Sequence, residues 1–310
     1  MNRIDGHFTS FVEQIRKSSK EEIYTHIRNR FFEIPIEIRA SLEDYFDQFP
    51  YWGKLKATDG IFEELYLRVI SIKDHLEDFI FLYEHLEDYR SKKVLYAILN
   101  NWYDFDFQTL GSCQESNYSH YFDLDVIDTN NEEVFVDLGA YTGDTILDYF
   151  KQYGANQYKK IYCYEITENS FEVLKNHLSN YPNISFQRKA VADQKGTLSF
   201  QKSAADDSAN MVLESGEETI EATTLDEDIQ EKITMIKMDI EGSEEKAILG
   251  AKRHITEEHP KLLVSVYHNH EDIWKIPKML KEMWDGYHFR LRYYGNHIFP
   301  TEIVLFATEN

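Results

Sequence analysis

Cysteine is nearly absent: Cys113 and Cys163 are the whole complement of a 310-residue chain. Two thiols supply neither a disulfide framework nor a CxxC metal site. Cys163, inside the apolar run IYCYE, reads as a buried strand thiol. Long apolar runs are missing too. Nothing approaches the about 20 residues that span a bilayer, and the first thirty residues hold no continuous apolar stretch of the kind a signal peptide uses. The chain therefore reads as cytoplasmic. Basic residues are in deficit, 33 against 55 acidic, for a net charge of −22. A field of that sign repels phosphate backbones and anionic lipid, so nucleic acid and membrane surfaces are excluded as partners. What the chain does have is core-forming material. Hydrophobic residues make up 42% and aromatics 15%, which excludes global disorder.

The texture changes near residue 120. Before it the pattern is helical: in IFEELYLRVISIKDHLEDFIFLYEHL the apolar positions Ile61, Leu65, Leu67, Ile70, Ile72 and Leu76 recur at helical spacings and Phe79, Leu82 and Leu86 continue the stripe, predicting a continuous helix. A second helix is predicted over Ser91–Trp102, capped by Ser91. Pro35 and Pro50 mark breaks. Residues 111–131 are polar and turn-rich and read as a linker. After residue 132, short β-branched and aromatic runs alternate with helical periods, which predicts an α/β domain around a parallel sheet. TLSFQ is a further β-like stretch and SAADDSAN (203–210) a polar loop. The expected division is a helical domain over 1–118 and an α/β domain over 119–310.

Four stretches can carry chemistry. In VFVDLGAYTGDT (134–145) a buried strand ends at Asp137, and Gly139 and Gly143 permit a tight turn and close approach to a ligand. Asp144 or Thr145 can cap the following helix, and Gly154 can stop it. The spacing is G-x-x-x-G, not the G-x-G-x-x-G of dinucleotide folds. A carboxylate before the glycines suits a cation, such as an α-amino group, better than a pyrophosphate. The competing account is an ordinary βα turn. Next, Glu165 ends the run IYCYE, where an acid can accept the hydroxyl protons of a ribose. Its competing account is a solvated strand end.

The third stretch, IKMDIEGSEEKAILGA (236–251), ends an apolar strand in Asp239 and Glu241, two carboxylates at strand spacing. They can hold a hard cation or position a hydroxyl. Ser243 reads as a helix cap, with Glu244 and Glu245 as solvated first-turn acids. The fourth, SVYHNHEDIW, closes a strand with His268, a candidate base or metal ligand. His270 reads as a solvated helix-start residue.

Together these stretches resemble the FkbM family of S-adenosylmethionine-dependent methyltransferases, over roughly residues 119–310. KAVADQKGTLSF (189–200) and TTLDE (223–227) resemble further family segments. One departure is Ile166 after Glu165, where many relatives carry proline. The resemblance implies a class I (Rossmann-like) methyltransferase sheet of seven strands with an antiparallel last strand. The strands should fall at about 133–138, 160–165, 184–190, 234–240, 261–267, 287–293 and 302–308. It also implies S-adenosyl-L-methionine as cofactor. Asp137, Gly139, Ala140, Tyr141, Gly143, Asp144 and Thr145 would surround its methionine end, and Glu165 with Ile166 its ribose. Ala190, Val191 and Asp193 would lie near the adenine, and Asp239 beside the sulfonium. The implied reaction is O-methylation of a sugar, glycan or natural-product hydroxyl.

For the proton, two versions stand: His268 as base, oriented by Asp239 or Glu241, or a divalent cation held by Asp239, Glu241 and His268. Competing classes are a non-catalytic module with the same fold and an NAD-dependent oxidoreductase. The second lacks its phosphate-binding glycine pattern. The helical region is expected to serve as an acceptor lid or a homo-oligomer surface. Its Tyr51, Trp52, Trp102 and Tyr103 would either stack on sugar faces or pack a core.

Overall fold

The computed structural model describes residues 2–49, 52–201, 211–213 and 218–309. Tyr51 and the polar loop 203–210 lie outside the described residues. The chain forms two compact units. The first comprises Met1–Ser116, Val266–Met279 and His288–Leu305, and the second Asn117–Ser265, Leu280–Tyr287 and Phe306–Asn310.

In the first unit α1 (Arg3–Lys17), α2 (Lys20–Glu33) and α3 (Ile36–Gln48) are followed by a short hairpin, β1 (Leu55–Lys56) and β2 (Ile61–Phe62). Then come α4 (Glu63–Asp74), α5 (Leu76–His85), α6 (Tyr89–Asp104) and α7 (Phe107–Gly111). The first two helices begin with reciprocal capping boxes, Asn2 with Asp5 and Ser19 with Glu22. Pro35 separates α2 from α3 as expected. The predicted continuous helix over 61–86 divides at His75. That residue leaves helical geometry (φ −108°, ψ 21°), its Nδ1 bonds Asp78 Oδ2 at 3.0 Å, and its ring stacks on Trp274 at 3.8 Å.

The cap of α6 is Asp88, not Ser91. Asp88 Oδ1 accepts the Ser91 N–H at 2.7 Å, and Ser91 Oγ instead accepts the N–H of Leu291 at 2.9 Å. Trp52, Trp102 and Tyr103 are all buried, so each serves the core. A charged cluster lies inside this core. Arg68 Nε donates to Glu64 Oε1 at 2.6 Å, and His270 Nε2 lies 3.3 Å from the same oxygen. His270 is thus a buried partner of a carboxylate rather than the solvated residue expected. Burial pushes its imidazole below its ordinary value, against the pull of Glu64.

The α/β portion runs β3 (Val134–Leu138), α8 (Asp144–Tyr153), β4 (Lys160–Tyr164), α9 (Glu168–Leu178), β5 (Ile184–Gln187), β6 (Ala190–Val191), β7 (Gly196–Gln201), β8 (Met211–Leu213) and β9 (Glu218–Thr223). It continues with α10 (Leu225–Asp228), β10 (Met235–Met238), α11 (Glu244–Gly250), α12 (Lys252–Glu258), β11 (Lys261–Ser265), α13 (Asp272–Met283), β12 (His288–Tyr293) and β13 (Ile303–Thr308). Seven strands form one mostly parallel sheet in the order β12-β13-β11-β10-β3-β4-β5. β3, β10 and nearly all of β11 are buried. This is why they read as unbroken apolar runs rather than alternating ones.

The strand expected over 184–190 is shorter. It stops at Gln187, Lys189 turns aside to ion pairs with Asp228 (3.2 Å) and Glu221 (3.3 Å), and Ala190–Val191 joins a separate four-stranded sheet, β6-β9-β7-β8. That small sheet packs around Phe200, Ile220 and Ala222. No helix among the described residues is long and apolar enough to cross a membrane.

Candidate active site

Parallel strands put their carboxyl ends at one edge, where ligands of open α/β sheets bind. In the second unit β10, β3 and β4 are adjacent there, in register from Met235↔Phe135 and Val134↔Lys160. Gly139 opens the turn after β3 with φ +76°. A Cβ on it would lie 1.9 Å from the Asp239 carbonyl oxygen, so only glycine lets the loops after β3 and β10 come this close. The N–H groups of Gly139 and Ala140 both donate to Tyr164 O, at 3.0 and 2.9 Å. Gly143 (φ +87°) is itself the cap of α8, in place of the expected Asp144 or Thr145, and Gly154 ends that helix as expected.

An open cleft of about 550 Å³ lies over this edge, lined by Gly139, Glu165, Ile166, Thr167, Lys189, Ala190, Val191, Asp239 and Glu241 among others. Glu165 is only 7% exposed. Its Oε1 accepts the Thr167 N–H at 2.7 Å and its Oε2 the Tyr141 N–H at 2.9 Å. Burial raises its pKa, and the rise is opposed by the Thr167 N–H, by the Thr167 side chain and by the Tyr141 N–H. Three donors against the four lone pairs of a carboxylate leave acceptor capacity. The carboxylate is therefore fixed in place and still able to accept from a ligand. Ile166, Ala190 and Val191 supply apolar wall beside it.

Asp239 and Glu241 also line the cleft, with Glu241 held at φ +55°, an uncommon conformation for a residue with a side chain. Glu244 is fully buried rather than solvated. Its Oε1 accepts the Ile240 N–H at 2.8 Å, and Ser243, at the cap position of α11, makes no side-chain cap hydrogen bond.

Other predicted residues do not line the cleft themselves, although the Tyr141 N–H holds Glu165. Ala140, Tyr141, Gly143, Asp144, Thr145 and Asp193 are not among those lining the cleft, and Asp144 and Asp193 are exposed. Asp137 does not line it either. It is fully buried, with the Lys237 ammonium 3.2 Å from Oδ1. Burial pushes its carboxyl up to about 6, against the opposing pull of Lys237. His268 is buried in the segment Val266–Met279 of the first unit, shortly after β11.

Two residues near the cleft escaped the sequence reading. Lys237 sits inside the apolar run IKM, and Tyr121 inside the supposed linker. Tyr121 is 4% exposed and donates its phenol to Asp239 Oδ2 at 2.6 Å. The only available signals were a lysine within a buried strand and an aromatic pair, Tyr121–Phe122, in a polar stretch.

The model of the FkbM methyltransferase domain matches residues 137–296, just over half of the chain. Methyltransferase FkbM from Methylobacillus flagellatus KT shares the fold, with a TM-score of 0.68 at 22% identity over 85% of this chain and 70% of that one. Aeropyrum pernix fibrillarin, in complex with natively bound S-adenosyl-L-methionine, aligns at a TM-score of 0.37 and 11% identity over 58% and 67%. An rRNA methylase from Streptococcus thermophilus aligns at 0.37 and 14% over 58% and 88%. No curated protein matches the chain. By its domain match the chain belongs to the FkbM family and is a methyltransferase.

Proposed function

We propose that this methyltransferase takes its methyl group from S-adenosyl-L-methionine and delivers it to a hydroxyl oxygen of a sugar, glycan or natural-product acceptor. The observation that carries the cofactor reading is Glu165. A nearly buried carboxylate, pinned by two backbone N–H groups and still facing a cleft, matches a ribose with its two adjacent hydroxyls. The rest of the cleft fits the same ligand. The Gly139 turn leaves no room for a side chain, so a ligand's methionine end can approach backbone directly. The apolar wall of Ile166, Ala190 and Val191 suits an adenine face, and Asp239 offers negative charge for a sulfonium. The dinucleotide alternative has no phosphate-cradling glycine pattern to support it.

The bound cofactor supplies an electrophilic methyl group. The chain must hold an acceptor oxygen in line with it at roughly 3–3.5 Å and take its proton. A sugar hydroxyl is a poor nucleophile at neutral pH, so proton removal needs help. We assign His268 as the base, oriented by Asp239 or Glu241. A divalent cation held by Asp239, Glu241 and His268 is the second version.

Transfer of labelled methyl from S-adenosyl-L-methionine to nucleotide sugars and glycans tests the function directly. Activity that survives exhaustive chelation supports the base, and activity restored only by added Mg²⁺ or Mn²⁺ supports the cation. Near-wild-type turnover by His268→Ala would remove His268 from either version.

A further inference from the structure

Strand β10 is Met235, Ile236, Lys237 and Met238, all four buried. A lysine is a costly residue to place in such a strand, because its ammonium leaves water. Its register partner in β3 is Asp137. The two charges lie 3.2 Å apart, yet neither Asp137 oxygen accepts an aligned hydrogen bond. The ammonium instead donates to Gly139 O at 2.8 Å and to Leu138 O at 3.4 Å, the first carbonyls of the glycine turn. It also lies 5.3 Å over the ring of Tyr121, whose hydroxyl holds Asp239. One buried cation thus touches both the glycine turn and the ring whose hydroxyl holds Asp239.

We propose that Lys237 is a positioning residue of the cofactor site: its ammonium fixes the Gly139 carbonyl and the Tyr121 ring, and so sets the spacing between the glycine turn and the Asp239 carboxylate. Asp137 is then the counter-ion of Lys237 and not a ligand of the cofactor's ammonium group. The alternative is that the pair merely fills a core, in which case neutral residues of like size would serve equally well. The inference rests on the cofactor reading above, and hydrogen exchange in the unliganded protein tests it independently of that reading.

The test compares wild type, Asp137→Asn, and the double variant Asp137→Asn/Lys237→Met, which removes both charges together. Amide exchange of Gly139, Ala140 and Gly143 reports the turn, melting temperature reports the fold, and titration with S-adenosylhomocysteine reports the site. The double variant is expected to melt within about 5 °C of wild type, to exchange at least about tenfold faster at the turn, and to bind at least about tenfold more weakly than Asp137→Asn. Its kcat should fall more than its KM for the acceptor rises. Should it not fold, Lys237→Met measured at pH 5.5, where Asp137 is largely protonated, gives the same comparison.

Unchanged exchange at the turn, or a loss of affinity reproduced in full by Asp137→Asn, overturns the proposal. If wild type itself binds no S-adenosylhomocysteine, the cofactor reading falls, and the exchange rates still decide the role of Lys237.

Discussion

The Tyr121 phenol donates a 2.6 Å hydrogen bond to Asp239 Oδ2 and lies 3.2 Å from Ser265 Oγ. A short bond to a carboxylate fixes that group's direction as well as its charge. Tyr121→Phe keeps the ring, and so its stacking on His120 at 4.0 Å, but removes the donor. We expect kcat/KM to fall about 10-fold or more, while stability changes by only about 1–2 kcal/mol. Steady-state kinetics beside a denaturant curve checks this. A variant with wild-type kcat/KM would show that the Asp239 orientation does not matter.

Glu165→Gln tests the ribose assignment. The amide keeps one acceptor oxygen, but its nitrogen faces a backbone N–H that needs an acceptor. Affinity for S-adenosylhomocysteine should drop about 10–100-fold, or about 1.4–2.7 kcal/mol. Adenosine should show the same penalty, because it carries the same ribose. Methionine, which lacks it, should show none.

The first unit carries its own prediction. Glu64 and Arg68 are 0% and 1% exposed and pair at 2.6 Å. Glu64→Gln leaves the guanidinium buried without a counter-ion and should cost about 3–5 kcal/mol. Replacing both partners, as Glu64→Leu/Arg68→Met, should recover most of that loss. Urea midpoints at constant m-value would show both effects.

His120 predicts a pH effect. Burial pushes its imidazole down to about 4, against the pull of the Asp239 charge. A depressed histidine binds its proton more readily once unfolded. Its contribution is therefore complete above about pH 6.5 and is lost progressively as pH falls toward 4. Asp137, pushed up to about 6, has the opposite sign and gains native-state weight over pH 6 to 4. That term is common to wild type and variant, so it cancels in a comparison. Between pH 7.5 and pH 5, His120→Gln should lose about 2 kcal/mol less stability than wild type.

Much of the fold was legible because buried parallel strands are written as apolar runs. The expected 133–138 and 160–165 became Val134–Leu138 and Lys160–Tyr164, shorter only where ladder bonds end. Glu165, Asp239 and Glu241 were legible as acids at strand ends, and the structure places all three around one cleft. What escaped depends on partners distant in sequence. Nothing local to IKMDIEG reveals that Lys237 reaches Gly139 O, 98 positions away. The polar surroundings of Tyr121 hide a phenol whose partner is 118 positions on. His270 looked solvated because Glu64 belongs to a helix read as a separate stripe. The cap of α6 was misplaced because Asp88 and Ser91 are both good caps, and only the pull of Leu291 on Ser91 decides between them.

Calorimetric titration of the purified chain with S-adenosylhomocysteine, with NAD in a parallel cell, addresses the central claim most directly. The account predicts saturable one-site binding of the sulfur nucleoside, weakened by Glu165→Gln, and no heat from NAD. A folded wild-type protein that binds NAD, or neither compound, would contradict it.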